Sequence, residues 1–282
     1  MEGTGPTTWD DPSLVQIWGP RFSVYVVAER DRAAFSLGRL PEDEDARRIA
    51  EDLAARLQAL LGEETMTDRE AGQVLGEHHN RLRYAATTGT VLIRWEGARR
   101  PTLRCVGAPQ LDPRDARLEL TRRYLHVFGP ATPEGFAAWA GIRIPGATAA
   151  FDALRRSLTP VRTPIGDSWI LARDEPSLRA APEPDAPARL LPSGDSYYLL
   201  QGGERELLVP TTRVRELWTS RVWPGALLVK GDIVGTWRRA KGKVSVTTWR
   251  RLSRAERDAV EAEAESLPLP GVDGRIVVRW AD

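Results

Sequence analysis

Two stretches of the 282-residue chain concentrate positive charge, which suits a polyanion such as DNA. The stretch from His78 to Arg104 holds six arginines and one acid, Glu96. The stretch 238–243 holds four cations and no acid. Arginine and lysine side chains on a helix or at a hairpin tip are the groups that contact DNA phosphates. A solvated surface with ordinary charge fluctuation is the alternative for either stretch taken alone.

Other reactive residue types form no recognisable site in the sequence. His78 and His79 are adjacent, so on a helix their side chains diverge by roughly 100° and cannot hold one ion. Cys105 is the single cysteine, and we expect it to be a small buried hydrophobic residue in a strand. No zinc-ligand spacing and no glycine-rich phosphate loop is present. We therefore expect no metal and no cofactor.

Residues 67–106 have the pattern of a helix-turn-helix followed by a wing. Thr67 and Glu70 form a capping box that begins a short helix. Residues 78–86 are predicted to be the second helix, with Leu82 in the core. The side chains predicted to face outward are His79, Arg81, Arg83 and Tyr84. Strands at 91–95 and 102–106 form a wing whose loop carries Arg99 and Arg100. A winged helix binds DNA with one helix in the major groove and a basic wing on the backbone.

Residues 109–180 repeat this plan. Asp112-Pro113 begins a helix whose predicted apolar face includes Leu120 and Val127. Helices at 132–140 and 148–158 and a hairpin at 160–172 follow. The first of these modules begins with a long helix over 43–61, which is predicted to turn Ile49 inward.

The ends of the chain are predicted to be mostly strands. Residues 14–18 and 22–27 form a hairpin, which must either pack on the next domain or continue a longer chain, because an isolated ribbon is marginal. A Pro/Ala-rich linker covers 181–189. Beyond it we predict strands at 197–200, 206–209, 226–229, 233–238, 243–249 and 275–280, with one helix capped by Ser253 and Glu256.

Three segments, in order, resemble the AlkZ-like DNA glycosylases, a family of winged-helix DNA-binding-domain proteins. They are RRYLHVFGPATPEGFAAWAGI (122–142), Leu-Leu-Pro (190–192) with Asp195, and GDIVGTW (231–237). The hairpin also resembles the family's Leu-Val-x-Thr-Trp-x-x-Arg-Gly-Thr-x-His segment: Arg21 matches its arginine, while Phe22 and Tyr25 replace its glycine and histidine. The resemblance covers nearly the whole chain from Leu14 on.

The resemblance implies a mixed α+β fold, with tandem winged helices followed by a small barrel-like β domain. The expected domains are a remnant wing (1–40), two winged helices (41–108 and 109–180), the linker (181–189) and a β-rich domain (190–282). It further implies excision of N-alkylated bases and unhooking of interstrand crosslinks. The family's catalytic pair, Gln-x-Gln or Gln-x-Asp, belongs before the hairpin, where this chain has none. We therefore expect a truncated or catalytically impaired chain whose catalytic residues are unknown.

We accordingly predict a cytoplasmic, nucleoid-associated monomer that binds double-stranded DNA, alkylated or crosslinked, and no membrane. A transcription regulator or a protein-interaction scaffold is the alternative. Asp195 matches an acid that the resemblance places near the DNA cleft, although a turn or cap role is the simpler interpretation. The predicted DNA contacts are Arg21, His79, Arg81, Arg83, Tyr84, Arg99, Arg100, Arg238, Arg239, Lys241 and Lys243.

Overall fold

The protein is described by a computed structural model that covers residues 8–96, 100–164, 166–180, 187–199, 205, 208–220, 222–267 and 276–281. The fold is mixed α+β, as predicted. The chain divides into two compact units, 1–179 (unit 1) and 180–282 (unit 2). The division falls beside the predicted linker, most of which lies outside the described residues. The last two linker positions, Ala188 and Arg189, already belong to a strand.

Unit 1 combines a sheet, a hairpin and a layer of helices. Its strands are β1 (Leu14–Trp18), β2 (Val24–Ala28), β3 (Met66–Thr67), β4 (Val91–Arg94), β5 (Thr102–Cys105), β6 (Leu158–Thr163) and β7 (Gly166–Leu171). Its helices are α1 (Arg32–Leu37), α2 (Glu44–Leu61), α3 (Asp68–Leu75), α4 (Pro113–Phe128), α5 (Pro133–Ala140), α6 (Ile144–Leu154) and, at its end, α7 (Glu175–Ala180). A 3₁₀ segment, His79–Thr88, follows α3.

The N-terminal hairpin is part of a larger sheet with the order β2-β1-β4-β5-β3. Gln16 pairs with Ile93 across β1 and β4, and its side-chain oxygen accepts a 2.8 Å hydrogen bond from the backbone N–H of Trp95. Of the two possibilities left open for this ribbon, packing on the following residues is the one observed. A two-stranded ribbon gains stability in this way, because three or more strands with a buried face can fold.

The core of unit 1 is built on α2 and the aromatic residues of α4 and α5. In α2 the buried stripe runs through Ala50, Leu53 and Leu57, so Ile49 at its edge is 42% exposed and the prediction that it faces inward is wrong. Val127 is likewise 66% exposed and not in the core, because the buried face of α4 is centred on Leu120. The aromatic cluster formed by Tyr124, Phe128, Phe136 and Trp139 fills the space between α4 and α5.

The third helix of this layer is α6, and it starts earlier than the predicted 148–158. Pro145 occupies its first turn, a position where proline is favoured because its missing N–H is not needed. The predicted hairpin is observed, with β6 and β7 paired from Leu158–Leu171 to Thr163–Gly166.

Two buried arginines connect the layers of unit 1. Arg39 is 3% exposed, and its guanidinium donates to the carbonyl oxygens of Trp18 (2.8 Å) and Ala140 (2.9 Å). It also lies 5.1 Å from the Phe22 ring centroid. Arg117 donates to two carbonyls of the turn after α1 and pairs with Glu42. Burial lowers the pKa of Arg39 to about 10, so it stays charged at neutral pH. Sequence patterns gave no indication of either residue.

Unit 2 is organised around an open sheet with the order β12-β11-β10-β9-β8. Its strands are β8 (Ala188–Leu191), β9 (Gly225–Val229), β10 (Asp232–Ala240), β11 (Lys243–Thr248) and β12 (Val277–Ala281), and its helices are α8 (Ser196–Leu199), α9 (Val214–Leu217) and α10 (Arg254–Ser266). β11 and β12 are parallel and the other pairs antiparallel. Among the described strands β8 and β12 remain edges, so barrel closure is not confirmed.

Two segments of unit 2 differ from the sequence prediction or lie outside the description. Residues 197–200 were predicted to be a strand, but the described part is α8, because the Asp195 carboxylate caps its N-terminus. The buried Tyr198 hydroxyl lies 2.8 Å from the carbonyl oxygen of Pro192, which fixes this turn. Of the strand predicted at 206–209, residues 206 and 207 lie outside the described residues, and Leu208 and Val209 form a turn whose N–H groups donate to the Arg205 carbonyl oxygen, so the strand prediction is wrong there.

Two motif residues of unit 2 have structural roles. The Trp237 indole donates a 2.8 Å hydrogen bond to the Leu191 carbonyl and so joins two of the segments that carry the family resemblance. A Cβ at Gly235 would lie 2.2 Å from the Thr247 carbonyl oxygen, so this strand position has no room for a side chain.

The capping box of α10 predicts an acid-dependent stability. Hydrogen bonds from Arg250 and from the Ser253 N–H lower the pKa of Glu256 from 4.5 to about 2. Because the folded pKa is depressed, this contribution is present above about pH 4.5 and is lost as pH falls toward 2. Glu256→Gln should therefore unfold more easily at pH 7 and show a smaller further loss between pH 4.5 and 2 than the wild type. Urea unfolding at several pH values measures this, and parallel curves for the two proteins would contradict it.

Candidate nucleic-acid interface

The segment predicted to be the second helix of the helix-turn-helix is His79–Thr88. It is a 3₁₀ helix, which corrects the expectation of an α-helix. The i, i+3 spacing of Leu82 and Ala85 suits both helix types, which is why the sequence could not separate them. A 3₁₀ helix has three residues per turn and a rise of about 2.0 Å per residue, so positions 81, 84 and 87 align in one row about 6 Å apart. The Thr87 and Thr88 hydroxyls each donate to a carbonyl three residues back and support this tight winding.

The two arginines of this helix have different surroundings. Arg81, 52% exposed, pairs with Glu77 at 3.2 Å, and Glu77 also pairs with Arg56 at 3.0 Å. Arg83 is half-buried and has no ion pair among the described residues. Both guanidinium groups are accessible enough to contact an anion, and Arg83 has less electrostatic competition from an acid.

The two histidines lie together, which corrects the expectation that their side chains diverge. Their ring centroids are 4.3 Å apart with an interplanar angle of 32°, because His78 is the N-cap residue and not part of the helix. Desolvation and the neighbouring His78 lower the pKa of His79 below its usual value. The His79 imidazole is therefore neutral at pH 7 and can donate or accept a hydrogen bond.

The loop of the wing contributes one described cation. The guanidinium of Arg100, 47% exposed, lies 3.6 Å from Oδ1 of Asp68, which is 4% exposed. The charge of Asp68 acts to raise the pKa of His79 and that of Arg100 acts to lower it, both by less than desolvation and His78 do. Arg99, predicted to share this wing tip, lies outside the described residues.

The turn that carries Arg21 lies beside the 3₁₀ helix. Phe22 and Tyr84 form an edge-to-face pair with ring centroids 5.2 Å apart and an angle of 86°. Arg21 and Phe22 both have φ of +56°, a left-handed conformation that costs an L-residue of order 1–3 kcal/mol. Phe22 thus occupies, with a bulky side chain, a conformation that favours glycine.

We refer to six residues of this part of unit 1 as the basic surface. Its members are Arg21, His79, Arg81, Arg83, Tyr84 and Arg100. Two of its cations are paired with partly or largely buried acids, Glu77 and Asp68, which orient them and lower the net positive charge. The surface offers guanidinium groups for phosphates and an aromatic ring that is 45% exposed, but no nucleophile and no accessible acid.

Unit 2 has its own basic element, the tip of the β10–β11 hairpin. The exposed cations there are Arg238, Arg239, Lys241 and Lys243. In the described part of the chain none of the four forms an ion pair, and Arg238 donates to the Val222 carbonyl oxygen at 2.9 Å. Lys241 has φ of +54° in the two-residue turn. These side chains therefore remain available to an anionic partner.

The candidate acids have capping roles. Oδ1 of Asp195 accepts a 2.8 Å hydrogen bond from the Tyr197 N–H. Asp195 therefore has the cap role, which was the simpler of its two interpretations. The tripeptide Gln110-Leu111-Asp112 has Gln-x-Asp spacing, which the sequence reading missed, so that spacing is present in the chain. It lies before α4 and not before the hairpin, and Asp112 caps α4 by accepting from the Arg114 N–H at 2.8 Å.

The described residues also bear on metal binding and on membrane insertion. No group of three or more His, Cys, Asp or Glu side chains there could hold a metal ion. None of the described helices combines the length and the apolar character needed to cross a membrane.

Comparisons with known proteins agree with one another. A family model described as "DNA glycosylase AlkZ-like" matches residues 5–268. An "Interstrand DNA cross-link repair glycosylase" of Streptomyces sahachiroi is 27% identical over 172 residues, 60% of this chain and 46% of that protein. The chain thus matches about half the length of this curated relative. The structure of Streptomyces sahachiroi DNA glycosylase AlkZ matches with a TM-score of 0.74 at 20% identity, covering 96% of this chain and 83% of the other. That likeness shows a shared fold.

Proposed function

Because the chain belongs to the AlkZ-like DNA glycosylase family, we propose that it binds double-stranded DNA, preferring duplexes with alkylated or crosslinked bases. The relative found in Streptomyces sahachiroi is named for interstrand cross-link repair, which suggests this class of substrate. Association with the nucleoid follows as part of the same proposal.

The observation that carries the proposal is the basic surface of unit 1. Arg83 has no acid partner among the described residues, and the exposed Arg81 is held in place by Glu77. Guanidinium groups at such positions neutralise phosphates and release counterions, a contribution that is independent of sequence. A repair protein needs this kind of contact, because it must bind lesions in any sequence context.

Unit 1 is proposed to consist of tandem winged helices. The module 41–108 would contact the duplex with the 3₁₀ helix and with the wing residues Arg99 and Arg100, and the module 109–180 would pack beside it. The basic hairpin of unit 2 is a second proposed contact, through Arg238, Arg239, Lys241 and Lys243. The domain boundaries given from the sequence remain part of this proposal.

Catalysis by this chain is proposed to be impaired. An N-alkylated purine carries positive charge and leaves readily, so a glycosylase chiefly has to orient water and stabilise the sugar cation. The basic surface has no accessible acid or amide pair for this task, and the carboxylates of Asp195 and Asp112 are engaged in caps. Asp195 remains the candidate acid, because a cap can be exchanged for another hydrogen bond.

An assay for base release tests this part of the proposal. The chain is incubated with duplex DNA containing N7-methylguanine, and the free base is quantified against a protein-free control. We expect release no faster than in the control. Release above the control would show that the chain is a glycosylase, and its loss in Asp195→Asn would then assign the acid.

Binding experiments separate a repair protein from a regulator or a scaffold. A repair protein should prefer the alkylated duplex and show little sequence bias, whereas a regulator should prefer one promoter sequence by several orders of magnitude. Failure to bind any duplex at low salt would leave the scaffold.

A further inference from the structure

We infer that Tyr84 is a stacking platform for an unpaired nucleobase in duplex DNA, supported from the side by Phe22. This inference rests on the proposed DNA binding and assigns one side chain of the basic surface to the damaged part of the duplex. Base stacking on an aromatic ring tolerates any base, because every base has a π face. That tolerance suits a protein that meets damaged or unpaired bases in many sequence contexts.

The first argument is the geometry of the aromatic pair. The Phe22 and Tyr84 rings meet edge to face at 86°, and such a pair covers at most one face of either ring. Tyr84 is 45% exposed, so part of the residue is accessible to a partner. A partly exposed ring that contacts a second ring can accept a stacked base, whereas a core tyrosine would be fully covered.

The second argument is how Phe22 is held. Its backbone has φ of +56°, as does that of Arg21, and such strained positions are kept where the surrounding structure determines them. The buried guanidinium of Arg39 lies 5.1 Å from the centroid of the Phe22 ring and is itself fixed by two carbonyls. The ring that supports Tyr84 is therefore anchored in the core of unit 1 and not free to rotate away.

The third argument is the position of Tyr84 in the 3₁₀ helix. Positions 81 and 84 share one row about 6 Å apart, so Arg81 and Tyr84 present a cation and a ring side by side. Arg83 is adjacent in sequence and has no acid partner in the described residues. An unpaired nucleotide has a base to stack and phosphates on each side to neutralise, which is the combination these three side chains offer.

The test compares Tyr84→Ala with Tyr84→Phe on two duplexes, one intact and one carrying a single unpaired 2-aminopurine. Tyr84→Ala should weaken binding of the unpaired-base duplex by about tenfold more than it weakens binding of the intact duplex. Tyr84→Phe keeps the ring and should behave as the wild type. The fluorescence of 2-aminopurine should fall on binding of wild type and Tyr84→Phe, and much less with Tyr84→Ala.

The outcomes distinguish the failure of this inference from that of the proposed function. Equal loss on both duplexes, or no loss on either, would overturn the stacking role while leaving DNA binding intact. Wild-type protein that binds neither duplex at low salt would overturn both. Thermal unfolding of each variant checks the fold, and the exposure of Tyr84 should keep all three midpoints close.

Discussion

The double variant Arg81→Ala/Arg83→Ala should lose duplex affinity on the order of 100-fold at low salt, taking about 1.5 kcal/mol for each charged hydrogen bond. The loss should be similar for every duplex sequence, because phosphate contacts carry no sequence information. The dependence of affinity on salt should also weaken, by about one unit of slope for each arginine that contacts a phosphate. Fluorescence anisotropy with a labelled duplex at several salt concentrations measures both effects.

A matched control is Arg48→Ala on α2. Arg48 is 76% exposed and paired with the acid Asp45, in the same compact unit, but outside the basic surface. Its removal changes net charge in the same direction and should alter affinity by about twofold at most, because Arg48 is already paired with an acid and exposed ion pairs contribute little. Comparable losses in the control and the double variant would mean that net charge, and not the 3₁₀ helix, governs binding.

Replacing the buried Arg39 by alanine should give the largest loss of stability of any single change discussed here, about 3 kcal/mol in the free energy of unfolding. The substitution leaves the carbonyl oxygens of Trp18 and Ala140 buried without their donors and removes the cation next to Phe22. For a unit of this size the melting temperature should fall by about 10 °C. Calorimetry of the whole chain measures the change.

The control for Arg39 is Arg30→Ala. The Arg30 side chain is 88% exposed and 4.0 Å from Asp31, so its removal should change the free energy of unfolding by about 0.5 kcal/mol or less. Arg39→Lys should recover little, since one ammonium group lacks the planar fork that reaches two carbonyls. A melting temperature for Arg39→Ala equal to that of the wild type would show that the Arg39 hydrogen bonds do not hold the layers of unit 1 together.

Local signals in the sequence predicted much of the fold. Capping boxes at Thr67 and Ser253, the proline that begins α4, and the turn at Lys241-Gly242 all act within a few residues. Such signals depend on hydrogen bonds to nearby backbone groups, so they can be found without knowing the tertiary structure. The α+β class and the family followed from them and from the motif segments.

Features that depend on long-range packing could not be predicted. Buried Arg39 bonds to carbonyls 21 and 101 residues away, which no periodicity indicates. The 3₁₀ winding of residues 79–88 and the stacking of His78 on His79 depend on that region's surroundings. The helix at 197–199 was predicted to be a strand because Tyr-Tyr-Leu-Leu favours strands, and a cap from Asp195 overrode that preference.

The basic residues combine features that local sequence shows with features that depend on long-range packing. Their charge and clustering were visible in the sequence, but the pairing of Arg81 with Glu77 and of Arg100 with Asp68 was not. Nor did the sequence show that the turn with Arg21 lies beside Tyr84, a contact that brings residues more than 60 positions apart into one surface.

The measurement that tests the account most directly is a salt titration of wild-type binding. Two duplexes of the same arbitrary sequence, one intact and one containing N7-methylguanine, are titrated between about 50 and 200 mM salt. We predict that both bind, that log affinity falls linearly with log salt, and that the modified duplex binds more tightly at every concentration. Absence of binding to either duplex at about 50 mM salt, or affinities that do not change with salt, would contradict the assignment of the basic surface to DNA phosphates.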